Sequence, residues 1–104
     1  MINFTHLYAF YEVAKAGSVS GGAEKIRVSQ PAVTREIREL EDRHGVRLFD
    51  RLPRGVALTE AGRSLFIYAD TIFSIANTAE VQLRELSNLS QVTPGCEQAD
   101  RVSL

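Results

Sequence analysis

Cysteine occurs once, at Cys96, so no internal disulfide can form and the lone thiol fits a reducing cytosol. Long apolar runs are missing too, and no uninterrupted segment is long enough to cross a bilayer. The first residues lack the basic start, apolar stretch and small-residue cleavage site of a secretory leader, so the expected compartment is the cytoplasm. The acceptor patterns at Asn3-Phe4-Thr5 and Asn88-Leu89-Ser90 then have no glycosylation to offer. Catalytic and metal-binding constellations are equally sparse. His6, His44 and Cys96 do not have the spacing of a metal site, and both histidines read as helix-surface or helix-end residues. Gly17-Ser18-Val19-Ser20-Gly21 puts valine where a nucleophile elbow needs serine. The acids Glu39, Glu41 and Asp42 share a helix with balancing arginines, which explains them better than acid/base work. No enzyme, cofactor or metal is expected.

What the chain does contain is 104 residues of ordinary globular composition, 44% hydrophobic and 24% charged, enough for one small domain and an extension. The net charge of −1 hides a gradient. Residues 1–59 hold nine Lys/Arg against seven Asp/Glu, and residues 60–104 hold three against six. The basic part comes first.

Punctuation along that part marks three helices. Asn3 is placed to cap a first helix with Leu7, Phe10 and Ala14 on one stripe, widened by Phe4, Tyr8 and Tyr11, and stopped by Gly17. Ser18 or Ser20 can cap a short second helix through Gly21-Gly22-Ala23-Glu24-Lys25-Ile26. Each of its adjacent glycines should cost about 1 kcal/mol relative to alanine, which favours close approach of another backbone as the reason for them. Ser29 then caps a third helix with Pro31 in its first turn, where a missing N–H matters least. At about 3.6 residues per turn, Val33, Ile37 and Leu40 cluster on one side of it, and Pro31, Thr34, Arg35 and Arg38 on the other. One side is core and the other is available.

Two short helices joined by a tight turn make a helix-turn-helix, spanning about 18–44, whose second helix suits the major groove of double-stranded DNA. The first half of that helix is the expected reader. Gln30 offers an amide that can donate and accept at an adenine edge, Arg35 a fork matched to guanine, and Pro31 and Thr34 contacts for a thymine methyl. The plainer account of the arginines is i,i+4 pairing, Arg35 with Glu39 and Arg38 with Asp42, as on any solvated helix. The following segment, about 46–58, weighs against it. It reads as a hairpin of Arg47-Leu48-Phe49 and Val56-Ala57-Leu58 around a turn at Leu52-Pro53-Arg54-Gly55, with Arg51 and Arg54 at its tip to meet phosphate or the minor groove. Ser29 and Arg38 flank the reader as further backbone contacts.

From its cap at Thr59, a fourth helix runs without proline to about Ser90, longer than a domain of this size needs. Leu65, Ala69, Ile72, Ala76, Ala79, Leu83 and Leu86 return every three or four residues and need a partner. The expected organisation is mainly α: a winged helix-turn-helix over 1–59, a long linker and dimerisation helix over 60–90, and a flexible tail over 91–104 containing Pro94-Gly95.

From about Phe4 to Leu86 these residues resemble the N-terminal winged helix-turn-helix of LysR-type transcriptional regulators of bacteria. The resemblance rests on Phe10-Tyr11-Glu12-Val13-Ala14, Gly17-Ser18, Val28-Ser29-Gln30-Pro31-Ala32-Val33-Thr34-Arg35, Ile37-Arg38-Glu39-Leu40-Glu41, Gly45-Val46-Arg47-Leu48-Phe49-Asp50-Arg51 and Leu58-Thr59-Glu60-Ala61-Gly62. It implies sequence-specific DNA binding as a homodimer, with base contacts from Gln30, Pro31, Thr34 and Arg35 and phosphate or minor-groove contacts from Arg51 and Arg54. It also implies a linker helix paired antiparallel with its twin, and a target that is an interrupted inverted repeat. Such regulators continue into a domain that senses a small molecule, whereas this sequence stops at Leu104, so no effector is expected to bind it. The rival reading is a truncated dimerisation partner that pairs with a full-length regulator and inhibits it.

Overall fold

Every helix among the described residues starts at a polar cap. The computed structural model describes residues 1–92, with side chains through residue 89. In chain order the elements are α1 (Phe4–Ala16), α2 (Val19–Ile26), α3 (Gln30–His44), β1 (Phe49–Arg51), β2 (Val56–Leu58) and α4 (Glu60–Val92). Asn3 Oδ1 accepts from His6 N–H at 3.0 Å, Ser18 Oγ from Gly21 N–H at 3.0 Å, Ser29 Oγ from Ala32 N–H at 3.2 Å and Thr59 Oγ1 from Gly62 N–H at 3.0 Å. Each bond satisfies a donor that the helix itself leaves without a partner. Gly17 and Gly45 close α1 and α3 in the left-handed region. Arg27 closes α2 in the same conformation, at φ 63°, the one non-glycine residue at positive φ among the described residues.

The residues Met1–Thr71 form one compact unit, and its centre is α1. Leu7, Phe10 and Val13 of that helix are fully buried, with Val33, Ile37 and Leu40 of α3 and Leu48 and Phe49 beyond it. Phe10 and Phe49 meet with ring centroids 5.3 Å apart, joining the first helix to the hairpin. The stripe inferred from spacing is therefore incomplete. Tyr11 and Val13 are buried, Phe4 and Tyr8 are exposed, and the polar His6 and Glu12 are inside. A helix enclosed on most sides has no single apolar face to reveal in its periodicity. His6 is a helix-end residue of α1, but at 7% exposure it is buried rather than on the surface, with Nε2 against Glu39 of α3.

The glycine pair of α2 is explained by proximity to α1. A Cβ on Gly22 would lie 2.5 Å from Val13 Cγ2, 2.8 Å from Val13 Cα and 2.9 Å from Val13 N. Two of those atoms are backbone and cannot step aside. Gly55 plays a similar role for the hairpin, where a Cβ would collide with the Gly17 carbonyl oxygen. That oxygen accepts from Val56 N–H at 3.0 Å, so the wing is tied to the turn between α1 and α2.

The hairpin is antiparallel, with Phe49 opposite Leu58 and Arg51 opposite Val56. Its first strand lies two residues later than the expected Arg47–Phe49. The reason is that the residues before it are already engaged. Leu48 and Phe49 donate their N–H groups to Glu41 Oε2 at 2.8 and 3.4 Å. Leu48 O accepts from Thr59 N–H at 3.0 Å, and Arg47 O from the Thr59 hydroxyl at 2.6 Å. Arg47 and Leu48 thus bracket the end of α3 to the start of α4 and are not free to pair as a strand.

The compact unit also extends beyond Thr59, where spacing placed the boundary, to Thr71. The first three turns of α4 belong to it because they are bonded to α1. Tyr11 donates to Asp70 Oδ1 at 2.8 Å and stacks on Phe66 at 5.4 Å, and Lys15 Nζ lies 4.6 Å from the centre of the Tyr11 ring. The second unit begins at Ile72, and its described residues continue α4 to Val92. Within it Thr78 bonds back to Ser74 O at 3.1 Å, and Arg84 pairs with Glu80 at 3.8 Å on the surface. Of the expected tail, Gln91 and Val92 are helical, and the rest, with Cys96, lies outside the described residues.

Two outcomes follow from this packing. Gly22→Ala should destabilise the protein by about 1–3 kcal/mol in urea unfolding, although alanine is the better helix former, because overpacking against the α1 backbone exceeds the propensity gain of about 1 kcal/mol. An unchanged or higher midpoint would contradict the close approach. The hydrogen bond to Asp70, then burial and the nearby carboxylates, push the Tyr11 phenol up to about 12. The folded protein therefore keeps a proton that the unfolded chain releases near pH 10, so this stabilisation is complete below about pH 10 and lost as pH rises through about 12. Tyr11→Phe should cost about 1 kcal/mol at pH 8, and the gap to the parent should close between pH 10 and 12 in a series of melts.

Candidate nucleic-acid interface

The side of α3 turned away from the core collects polar groups with nothing to bind. Val33, Ile37 and Leu40 are at most 7% exposed, so the helix cannot rotate about its axis without exposing them. That burial fixes what lies opposite. Gln30, Pro31, Thr34, Arg35 and Arg38 line a single open hollow on the surface. Gln30, Pro31, Arg35 and Arg38 are exposed and Thr34 is half-buried. Among the described residues, the side chains of Gln30, Thr34, Arg35 and Arg38 have no hydrogen-bond or ion-pair partner. Ser29, at the edge of the hollow, accepts from Ala32 N–H and retains a hydroxyl hydrogen to give.

The i,i+4 pairs that would make these arginines ordinary surface charges do not form. Neither Arg35 with Glu39 nor Arg38 with Asp42 comes within ion-pair distance. Glu39 turns to the buried His6 instead, with Oε1 3.1 Å from Nε2. Glu41 is taken by the backbone of Leu48 and Phe49. Glu39 and Glu41 are thus engaged by groups of the domain itself, Glu36 and Asp42 form no ion pair among the described residues, and the forward arginines of α3 are left unpaired.

The hairpin adds a second group of cations. A hollow of about 160 Å³ between α3 and the wing is lined by Thr34, Arg38, Arg47 and Arg51 and floored by Ile37, Phe49 and Val56. Arg38 of the helix and Arg51 of the strand therefore share one recess, although thirteen positions separate them in the chain. Arg54 lies at the exposed turn and lines neither hollow. Arg51 and Arg54, like the helix arginines, have no side-chain partner among the described residues. Arg47 differs, since its guanidinium donates to Phe49 O at 3.3 Å. Arg47 stands in the basic run with Arg51 and Arg54, but its place beside Arg38 depends on contact between two elements and is not readable from spacing.

The residues set aside for self-association divide between the two units. Ala69 is fully buried inside the first unit and cannot meet a partner without unfolding it, which corrects the stripe at that position. Leu65 and Ile72 are half-buried, whereas Ala76, Ala79, Leu83 and Leu86 are exposed. Leu83 is 67% exposed and Ile75, beside the stripe, 64%. No helix among the described residues is long and apolar enough to cross a membrane, and among them no three His, Cys, Asp or Glu residues are placed to hold a metal ion.

Comparison with known proteins agrees with this geometry. Residues 4–63 match the model of the bacterial regulatory helix-turn-helix proteins of the lysR family. The chain is 39% identical over 90 residues to the RuBisCO operon transcriptional regulator of Allochromatium vinosum, covering 86% of this chain and 30% of that protein. It therefore spans under a third of that relative's length. The fold superposes on the crystal structure of the CbnR DBD–DNA complex with a TM-score of 0.69 and 35% identity, over 82% of this chain and 98% of that one. For the BenM DBD/benA site 1 DNA complex the TM-score is 0.71 and the identity 27%, over 81% and 98% of the two chains. A match over more than half of its residues, joined to this architecture, places the chain in the LysR family of transcriptional regulators, as a DNA-binding domain of winged helix-turn-helix fold followed by a long helix.

Proposed function

We propose that the chain reads double-stranded DNA sequence-specifically as a homodimer, recognising an interrupted inverted repeat. The observation that carries this reading is the unpaired polar face at the start of α3, Gln30, Thr34, Arg35 and Arg38, opposite a buried apolar one. A helix of about 10–12 Å diameter fits the major groove, which is about 12 Å wide, and enters it by its N-terminal half. Arg35 then presents its fork to guanine O6 and N7, Gln30 its amide to adenine, and Pro31 and Thr34 their carbon atoms to a thymine methyl. Ser29 and Arg38 at the edge of the helix, with Arg51 and Arg54 of the wing, contact the sugar-phosphate backbone. The CbnR and BenM DNA-binding domains, similar in fold to this chain, were crystallised bound to DNA, which supports DNA as the partner.

Residues 60–90 hold two such readers together. Exposed Ala76, Ala79, Leu83 and Leu86 supply an apolar stripe that a second copy can cover, antiparallel and in the manner of a coiled coil. Pairing also answers the weak net charge. Each phosphate neutralised by Arg38, Arg51 or Arg54 releases counterions, and two copies double the number of contacts and so the salt dependence. The long helix acts as the ruler between half-sites, and two-fold symmetry of the protein demands an inverted repeat.

Three outcomes test the reading on duplexes selected from a random pool. Arg35→Ala should lose about 1–3 kcal/mol on the matched duplex and relax preference at one base pair, whereas Arg51→Ala should weaken matched and scrambled duplexes alike. Equal losses for Arg35→Ala on every duplex would make it a phosphate contact. Replacing Leu83 and Leu86 together by Asp should yield a monomer in sedimentation and about halve the slope of log affinity against log salt. A wild-type chain that stays monomeric, or that prefers a full-length relative as partner and binds DNA poorly, would favour the inhibitor instead.

A further inference from the structure

We infer that His6 is a positioning residue for DNA recognition, which holds Glu39 on the domain's interior side and thereby keeps the Arg35 guanidinium unpaired. The inference rests on the proposed role of Arg35 as a base contact.

The geometry is that of a restraint. His6 lies in the first turn of α1, its backbone N–H is committed to Asn3, and its side chain is 9% exposed. Nε2 is 3.1 Å from Glu39 Oε1, and Nδ1 is buried without a hydrogen-bond partner. Glu39 is therefore the imidazole's one polar contact among the described residues. A buried polar ring that lost it would be left wholly unsatisfied, at a cost well above that of a surface pair. Glu39 itself is under no such constraint, because its side chain is 57% exposed and can be solvated elsewhere.

Where a released Glu39 would go follows from helix geometry. Side chains on a helix lean toward its N-terminus, so a residue covers the surface over the preceding turn. For Glu39 that surface holds Arg35, four residues back. A carboxylate paired there would occupy the donors that Arg35 offers to guanine and would carry a negative charge toward the phosphates. Arg43, four residues onward, is the other cation within reach. In the structure Glu39 takes neither, and Arg35 has no partner. A contact thirty-three positions apart thus decides whether a side chain on the reading face is free.

A set of variants titrated with matched duplex separates the possibilities. His6→Leu should weaken binding about two- to fivefold, the size of an exposed ion pair that DNA must now break. His6→Gln, whose amide reaches the Nε2 position, should bind like the parent. Adding Glu39→Gln to His6→Leu should abolish the loss, and in an Arg35→Ala background His6→Leu should add none. Equal losses with and without Glu39, or full affinity in His6→Leu because Glu39 moves to Arg43, would overturn the inference while leaving Arg35 a base contact. No loss of base preference in Arg35→Ala would overturn the reading beneath it. Should His6→Leu fold poorly by its melting curve, the Arg35 Nε–H resonance decides instead. It should be unmoved by Glu39→Gln, and a clear shift would mean that Glu39 already pairs with Arg35.

Discussion

Burial of Val33, Ile37 and Leu40 against α1 is the constraint on which the rest of the molecule depends. At about 1.5–3 kcal/mol for each buried aliphatic side chain, this contact far exceeds the few tenths of a kcal/mol that any surface charge pair on α3 offers. The rotation of the helix is set by its apolar side, and the polar side follows. Gln30, Thr34, Arg35 and Arg38 face outward because the other three must face inward. No interaction of their own holds them there.

The rest of the domain reinforces that arrangement at both ends of α3. Ser29 and the left-handed Arg27 set the entry of the chain, so that the start of the helix is exposed and well defined. At the far end Gly45 closes the helix, and Glu41 binds the backbone of Leu48 and Phe49, which brings the wing back beside the helix. That return puts Arg51 into the recess it shares with Arg38. Tyr11, through Asp70 and Phe66, fastens the start of α4 to the same central helix. One buried helix, α1, thereby supports α3, the wing and the beginning of α4 at once.

Much of this was legible in the residues alone, and the division between what was and what was not has a physical basis. The capping roles of Asn3, Ser29, Thr59, Gly17 and Gly45 rest on bonds to residues three or four positions away, so they can be read locally. The apolar side of α3 was equally plain, because that helix is covered on one side only. Tertiary partners were not. The burial of His6 at the helix end was not visible until Glu39 was set beside it, Ala69 looked like part of a dimer stripe although the fold buries it, and β1 slid two residues because Glu41 and Thr59 claim the backbone of Arg47 and Leu48. The choice of Glu39 between Arg35 and His6 is of the same kind. Local spacing offers both a partner and a reason, and a contact from a distant helix overrides it.

The most direct test of the account is a map of backbone amide shifts as a selected duplex is titrated into the protein. The largest changes should fall on residues 29–38 and 51–54, with little change on the buried positions of α1 and on the end of α3. Changes concentrated on residues 42–46, with the Gln30 to Arg35 amides undisturbed, would contradict it, because DNA would then be meeting the opposite end of the helix.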